Sequence, residues 1–341
     1  MAFSTINKSS SYLNSILYTG NGSTQSITGV GFQPDLTWIK ARDAAENHRL
    51  FDAVRGVTKY IASNNGNVEA TDATTLTAFG ADGFTLSTAH PVNKDTEAYV
   101  SWNWKANGAG SSNTDGSITS TVSVNTTSGF SIVKYTGTGA AATIGHGLGA
   151  VPKAVIIKKL SQSDNWFSYH EPLGNLGRLQ LSATAAVANN SGYWDSTSPT
   201  STVFTVLANG ANNASGETHV AYCFADVAGY SKMGSYSGNG NADGPFVYTG
   251  FKPSLIIVKR TDSTGNWAIE DNKRVGYNPS NNHLYPNLAN AESTGYTIDQ
   301  LSNGFKVRVT SADINASGGS YICMAFGQPI ISNGGVCATA R

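Results

Sequence analysis

The side chains that could do chemistry in this 341-residue sequence are few and scattered. Cleaving a glycosidic bond takes two carboxyl groups facing each other across a cleft. The nearest approaches are Glu171 beside His170 and Glu270 beside Asp271. Neighbours on a strand point to opposite faces, so neither pair converges on one bond. Both pairs read as solvated loop or edge residues. His48, His90, His146, His170, His219 and His283 lack the spacing of a metal site, and His219 reads as a structural residue at a strand start. No Gly-x-Ser-x-Gly elbow, His-Glu-x-x-His run or phosphate-cradling loop is present. The GNG and GTG triplets are turns, since no helix follows them. We therefore expect no catalytic residue, no metal, no cofactor and no enzyme.

Binding is the better prospect, and aromatic residues carry it. Trp166 and Trp267 occupy equivalent places in an internal repeat, where the counterpart is His48. A tryptophan at a loop edge can stack on a sugar face. Its recurrence in successive units favours instead a role in the fold, covering the end of its own sandwich. The loops that do not repeat are stronger receptor candidates: Tyr193 and Trp194 in NNSGYWDSTSPTS, and Tyr277, His283 and Tyr285 in GYNPSNNHLYPN. Aromatic residues interleaved with Asn and Ser resemble adaptable binding loops.

The elements that position these residues come from a threefold repetition. Residues 236–259 read YSGNGNADGPFVYTGFKPSLIIVK, residues 135–158 read YTGTGAAATIGHGLGAVPKAVIIK, and residues 18–40 read YTGNGSTQSITGVGFQPDLTWIK. Lys40, Lys158 and Lys259 each lie six residues after Pro34, Pro152 and Pro253, a register that marks a tandem array. The apolar run after each proline predicts a strand buried on both faces, its terminal lysine carrying charge to solvent. Each repeat closes on a six-residue strand, YVSWNW (99–104), HVAYCF (219–224) or YICMAF (321–326), with large apolar residues at alternate positions. Asn93, Asn213 and Asn315 mark the turn before it, each eleven residues ahead of the closing aromatic. Weaker strands are expected at 83–87, 203–207 and 304–309, and only 41–57 has room for a helical turn.

The predicted fold is all-β: three tandem antiparallel β-sandwich, jelly-roll-like domains. We divide the chain into an N-terminal arm (1–14), repeat 1 (15–107), repeat 2 with its preceding linker (108–229), repeat 3 (230–329) and a C-terminal tail (330–341). The Gly/Ser-rich stretch 106–117 predicts a flexible joint, and the short junction 226–235 a stiff one. With 22 basic and 22 acidic residues the net charge is zero, which argues against nucleic acid as a partner. No signal peptide or membrane span is visible, and Cys223, Cys323 and Cys337 form no disulfide framework, so we expect folding in a reducing cytosol and no membrane insertion.

Several phrases carry a resemblance: INKSSSYLNSILYTGNGSTQSITGVGFQPD, FDAVRGVTKYIASNN, YVSWNWKA, SNTDGSITSTVSVNTT, GHGLGAVPKAVIIKK and DGPFVYTGFKPSLIIVKRTDSTGNWAI. Across nearly its whole length the chain resembles a family of virion structural proteins of marine tailed bacteriophages, described as tail-fibre-like. The resemblance implies a virion protein assembled in the host cytoplasm, with no catalytic residues to carry over. The expected function is a tail-fibre or receptor-binding component contacting the host surface, with a capsid decoration or capsid fibre role as the alternative. An enzyme acting on host polysaccharide is the third reading. Expected partners are other virion proteins, a host surface glycan and further copies of the chain, in fibres commonly a trimer.

Overall fold

The computed structural model describes residues 4–331. Strands make up 43% of the chain and helices 4%, in several antiparallel sheets. Three sheets share one strand order. In the first, Leu13–Thr19 pairs with Ala98–Trp104, which pairs with Leu36–Ala41, which pairs with Arg49–Asp52. In the second, the same places are taken by Phe130–Thr136, Thr218–Ala225, Pro152–Lys159 and Phe167–His170. In the third they are taken by Ser231–Ser237, Ser320–Pro329, Phe251–Arg260 and Trp267–Asp271. The second sheet is widened to eight strands by Ser111–Asn113 and Ser120–Asn125 on one edge and Gly177–Gln180 and Ala188–Asn189 on the other. A smaller sheet accompanies each: Gln25–Ile27 with Gly83–Leu86 and Leu76–Gly80; Ala142–Gly145 with Val203–Val206; and Phe246–Tyr248 with Gly304–Val307 and Ile298–Leu301.

Side-chain alternation assigns each large sheet two cores. Leu36 and Trp38, Ala154 and Ile156, and Leu255 and Ile257 enter one cluster common to all three sheets. Residues of the opposite face enter separate clusters under the small sheets: Ile39 in the first, Val155 and Ile157 in the second, Ile256 and Val258 in the third. A strand pressed between two cores needs apolar residues at every position, which explains the unbroken β-branched runs. The closing strands send Val100, Trp102 and Trp104, Val220, Tyr222 and Phe224, and Ile322, Met324 and Phe326 into the common core. There Trp104, Phe224 and Phe326 meet edge to face, with ring centroids 5.7–6.4 Å apart. Each aromatic withdrawn from water at this junction contributes on the order of 2–3 kcal/mol.

The three sheets close into a ring through the same backbone bond at every joint. Glu69 N–H donates to Leu160 O at 2.8 Å, Val187 N–H to Thr261 O at 2.8 Å, and Glu292 N–H to Arg42 O at 2.7 Å. Segments from 15–107, 108–229 and 230–329 thus share a core and a cyclic set of contacts. The described part of the arm belongs to that core as well: Ile6 is buried in it, and Gln328 accepts from Ser9 N–H and donates to Asn7 O.

Several expectations are corrected. Lys40, Lys158 and Lys259 are fully buried. The alternation that turns Trp38, Ile156 and Ile257 inward turns these lysines inward two positions later. Lys158 Nζ donates to Gly66 O at 3.2 Å, Lys259 Nζ to Thr184 O at 3.2 Å and Lys40 Nζ to Ala44 O at 3.0 Å. Burial pulls all three ammonium groups down to about 8. The Gly/Ser linker is tied down: Asp35 accepts from Ala106 N–H at 2.6 Å and Gly108 N–H at 3.1 Å, and Ser111–Asn113 joins the second sheet. Within 41–57 Arg49–Asp52 is a strand, followed by a single turn in which Gly56 N–H donates to Asp52 O at 3.0 Å; the short helices of the described residues are His90–Asn93 and Ala312–Asn315, with 3-10 turns at Ser9–Ser11 and Glu171–Leu173. The tail beyond 331 and Cys337 lie outside the described residues.

The Gly-rich turns that open the repeats are closed by the three asparagines. Asn93 Oδ1 accepts from Asn21 N–H at 3.1 Å, Asn213 Oδ1 from Thr138 N–H at 2.9 Å, and Asn315 Oδ1 from Asn239 N–H at 2.8 Å. A Cβ on Gly20, Gly137 or Gly238 would lie 2.1–2.3 Å from a carbonyl oxygen of the turn packed against it, so only glycine fits. What resembles a phosphate cradle is already filled by an asparagine side chain.

Candidate functional site

The structure places most candidate aromatics inside the protein. Trp166 and Trp267 are buried in the common core, at the joints between sheets. Their indole N–H groups donate across the joints to Ala62 O at 2.8 Å and Gln180 O at 2.9 Å. Neither has a face for a sugar. At the third joint His48 Nδ1 accepts from Trp38 Nε1 at 2.8 Å, which leaves its proton on Nε2, 2.9 Å from Tyr285 O. Tyr193 and Trp194 are also core residues: the apolar cluster of the second repeat folds their loop inward against Phe167 and Tyr169. Arg178 covers the Tyr193 ring at 4.5 Å.

His283 and Tyr285 come together, but as a closed network. His283 is buried and stacks on Tyr296 with centroids 3.9 Å apart. Its Nδ1 accepts from Tyr296 N–H at 3.3 Å and its Nε2 lies 2.8 Å from the Tyr285 hydroxyl. Tyr296 in turn donates to Asp313. Burial lowers His283 to about 4, so the ring is neutral with both nitrogens committed. A histidine so engaged has no lone pair left for a metal or a substrate proton. Among the described residues no three His, Cys, Asp or Glu side chains cluster as a metal site, and no helix is long and apolar enough to cross a membrane.

Tyr285 is part-buried, and Tyr277 is the one candidate that stands exposed, at 69%. It stands at a cleft of about 380 Å³ in the third repeat, with Lys252, Asn272 and Lys273 around it and Ser280 and Gln300 on the buried side. The loop that carries it is pinned by a reciprocal amide pair. Asn278 Nδ2 donates to Gln300 O at 2.8 Å, and Gln300 N–H donates to Asn278 Oδ1 at 2.9 Å. Two further backbone bonds of 2.8 Å join Ser280 to Ile298.

Two differences between the repeats open this cleft. The bridges Leu50–Ile61 and Ile269–Leu284 occupy equivalent places, yet the loop from Arg274 to Leu284 is four residues longer than that from Arg55 to Ile61. The position seventeen residues after the landmark proline holds Phe51 and Tyr169 in the first two repeats and Glu270 in the third. Phe51 and Tyr169 fill the interiors of their own sandwiches. Glu270 is 1% exposed in the corresponding interior, and neither of its carboxyl oxygens has a hydrogen-bond partner among the described residues. The Ser280 hydroxyl, which lies close enough to act on that carboxyl, and Gln300 Nε2 are buried and unpartnered in the same way.

The acid pair is therefore not solvated. Asp271 faces the common core, where it accepts from Trp102 Nε1 at 2.9 Å and Arg274 Nε at 2.7 Å. Burial alone would raise its carboxyl, but Arg274 and Trp102 hold it below the usual range. Glu270 points the other way, and burial raises it to about 8 against the pull of Arg274. A carboxyl kept protonated near neutrality is what a general acid needs. Asp271 is turned to the opposite face and bonded there, so the two carboxyls do not converge on one bond. His170 is likewise buried, while Glu171 reaches outward to Lys153 at 3.3 Å. The geometry of the cleft suits binding. Lys252, Asn272, Lys273, Ser280 and Gln300 were not singled out from the sequence; the aromatic-to-Glu change at position 270 and the longer loop were the available signals.

A protein-family model described as a domain of unknown function (DUF7483) matches residues 8–329, all three repeats in one span. No curated protein and no solved structure matches the chain.

Proposed function

The chain belongs to the DUF7483 family, and we propose that it is a phage virion structural protein, a tail-fibre or receptor-binding component that meets the host surface through its third repeat. In this reading the three units are jelly-roll-like sandwiches that act as one body, since they share a core. A homotrimer is not needed to complete that core, because the threefold arrangement lies within one chain. The sequence resemblance supplies the virion setting. The observation that carries the receptor role is the cleft at Tyr277, formed where the third repeat departs from the other two. Attachment sites belong on such unshared features, because what recurs in every unit serves the fold. Capsid decoration is the alternative, with the ring as a purely structural knob.

Labelled protein bound to host cells provides the test. Tyr277→Ala is expected to weaken cell binding about tenfold while leaving the unfolding midpoint unchanged. Unaltered cell binding would remove the receptor role, and a virion reconstruction placing the chain on the capsid lattice would favour decoration.

A further inference from the structure

The three small sheets pair equivalent residues, Ile27 with Phe84, Ile144 with Phe204 and Val247 with Phe305, and all six side chains are buried. The residues flanking the first member of each pair point outward by strand alternation. In the first repeat they are Ser26 and Thr28, and in the second Thr143 and Gly145. In the third they are Phe246 and Tyr248, at 45% and 66% exposure. With Tyr277 these are the exposed aromatic residues of the described chain, and all of them belong to the third repeat. An exposed aromatic pair in places where the other repeats hold small residues serves something other than the shared fold. Both rings lie against backbone that glycine leaves open. A Cβ on Gly304, which pairs with Tyr248, would lie 3.0 Å from Cε2 and Cζ of Phe246. A Cβ on Gly250 would lie 3.5 Å from Tyr248 Oη and 3.7 Å from its Cζ. The rings are thus laid along the sheet surface, with their outer faces to solvent.

The surroundings narrow the occupant. Lys306, which pairs with Phe246 in the register, meets Asp243 at 2.8 Å, and Arg308 meets Asp243 at 3.5 Å and Asp299 at 3.4 Å. Two cations and two anions in mutual pairs offer both donors and acceptors beside the rings without a net charge among them. Two aromatic side chains present at most about 300–500 Å² of surface. Bounded by charged groups, that falls short of the roughly 800 Å² per partner of a stable protein interface, so neither a second copy nor another protein is the occupant. A flat aromatic face beside paired donors and acceptors matches a sugar, which has an apolar C–H side and a rim of hydroxyls. Residues two apart on a strand stand about 6.6 Å from each other, so one pyranose ring does not cover both. We infer that the outer face of the third small sheet binds a neutral, extended glycan chain. Phe246 and Tyr248 stack on successive sugar residues, and the Lys306, Asp243 and Arg308 groups bond their hydroxyls. The inference goes beyond the Tyr277 cleft and uses none of the residues that line it.

Saturation-transfer NMR and calorimetry on the full chain test it, with cellohexaose as the neutral extended chain, glucose as the single residue and hexagalacturonate as the charged chain. Cellohexaose is expected to bind about tenfold or more tighter than glucose, with the same affinity at low and high salt. Phe246→Ala and Tyr248→Ala should each weaken cellohexaose binding about tenfold, while Tyr248→Phe retains it. Both positions are exposed, so the unfolding midpoints of these variants should match that of the wild type. Glucose bound as tightly as cellohexaose overturns the extended-chain reading. Tighter, salt-dependent binding of hexagalacturonate overturns the neutral class. Saturation transfer to none of the three probes, or unchanged cellohexaose binding when Phe246 and Tyr248 are both replaced by Ala, overturns the site. A dimer in sedimentation velocity that Phe246→Ala dissociates makes a second copy the occupant, and overturns it as well. Tyr277→Ala separates this inference from the receptor role, since it should leave cellohexaose binding intact whatever it does to cell binding.

Discussion

Two of the three joints in the ring are built on a buried Asp–Arg ion pair, and the third is not. At the first, Asp52 is bonded to Arg55 and accepts from the Tyr222 hydroxyl at 2.8 Å. At the second, Asp271 is bonded to Arg274 and accepts from Trp102 Nε1. Both guanidinium groups reach back to a backbone carbonyl at 2.8 Å, on Leu50 and Ile269, and on to a second acid, Glu69 or Glu292. The equivalent places at the remaining joint hold His170, Leu173 and Met324. Met324 has no N–H or O–H to donate and Leu173 has no charge. An aspartate at position 170 would be a buried anion without a partner, which costs several kcal/mol. His170 is neutral instead, lowered to about 4 by burial, with both ring nitrogens unpartnered among the described residues. The set of three side chains thus works as a unit: with all members present an ion pair can be buried, and with two replaced the acid position takes a neutral group.

The ion-pair joints are weakest to substitution at Asp271. Asp271→Ala removes the acceptor of both Arg274 Nε and Trp102 Nε1 and leaves a buried guanidinium only partly compensated by Glu292. The expected loss is roughly 3–5 kcal/mol in urea unfolding, with a similar loss for Asp52→Ala. His170→Ala forfeits packing but strands no partner, so about 1–2 kcal/mol is expected there. A His170→Ala loss equal to that of Asp271→Ala would show that the joints differ in composition and not in how they are held.

A second contrast, Glu270 against Phe51 and Tyr169, is sharpened by pH. The folded-state value of about 8 lies above the ordinary 4.5, so the native protein holds this proton where the unfolded chain has released it. Its contribution to stability is complete below pH 4.5 and is lost as pH rises towards 8, at up to about 1.4 kcal/mol per pH unit. Glu270→Gln removes the titration. Its unfolding free energy should exceed that of the wild type by a margin that grows from pH 5 to pH 8 and then levels off. A margin independent of pH would mean that the carboxyl is solvated through the cleft.

Much of this was legible in the sequence, because period-two patterning depends only on which faces are buried. The post-proline and closing strands stand where the apolar runs put them. The ring was not legible: a strand buried on both faces reads the same whether its second partner is its own small sheet or a neighbouring repeat. That ambiguity hid the inward lysines, since the residue type argued for solvent and it is backbone carbonyls, of the lysine's own repeat for Lys40 and also of the adjacent one for Lys158 and Lys259, that make burial tolerable. It also hid the true environment of Trp166, Trp267, Tyr193 and Trp194, where composition suggested binding loops and packing withdrew the rings. Tyr277 is the one candidate aromatic left open, in a stretch whose extra length relative to the other repeats was countable from the start.

The smallest difference among the repeats is a single backbone position. Three residues after the clamping asparagine the chain turns through positive φ: 75° at Gly216, 70° at Gly318 and 68° at Thr96. All three donate the same bond, to Gly137 O at 2.9 Å, Gly238 O at 3.0 Å and Gly20 O at 3.0 Å, so the geometry is imposed by the turn and not by the residue. A β-branched residue in the left-handed region costs roughly 1–2 kcal/mol. Glycine avoids that cost but adds about 0.5–1 kcal/mol of unfolded-state entropy. The strain is the larger quantity, so Thr96→Gly should stabilise the protein by about 0.5–1 kcal/mol, and the reverse change at Gly216 should destabilise it by a similar amount. Thr96 Oγ1 donates only to Asp95 O, a bond that water can replace at an exposed turn. If Thr96→Gly lowers the unfolding midpoint instead, the threonine turn is held by the first repeat in a way that the two glycine turns are not.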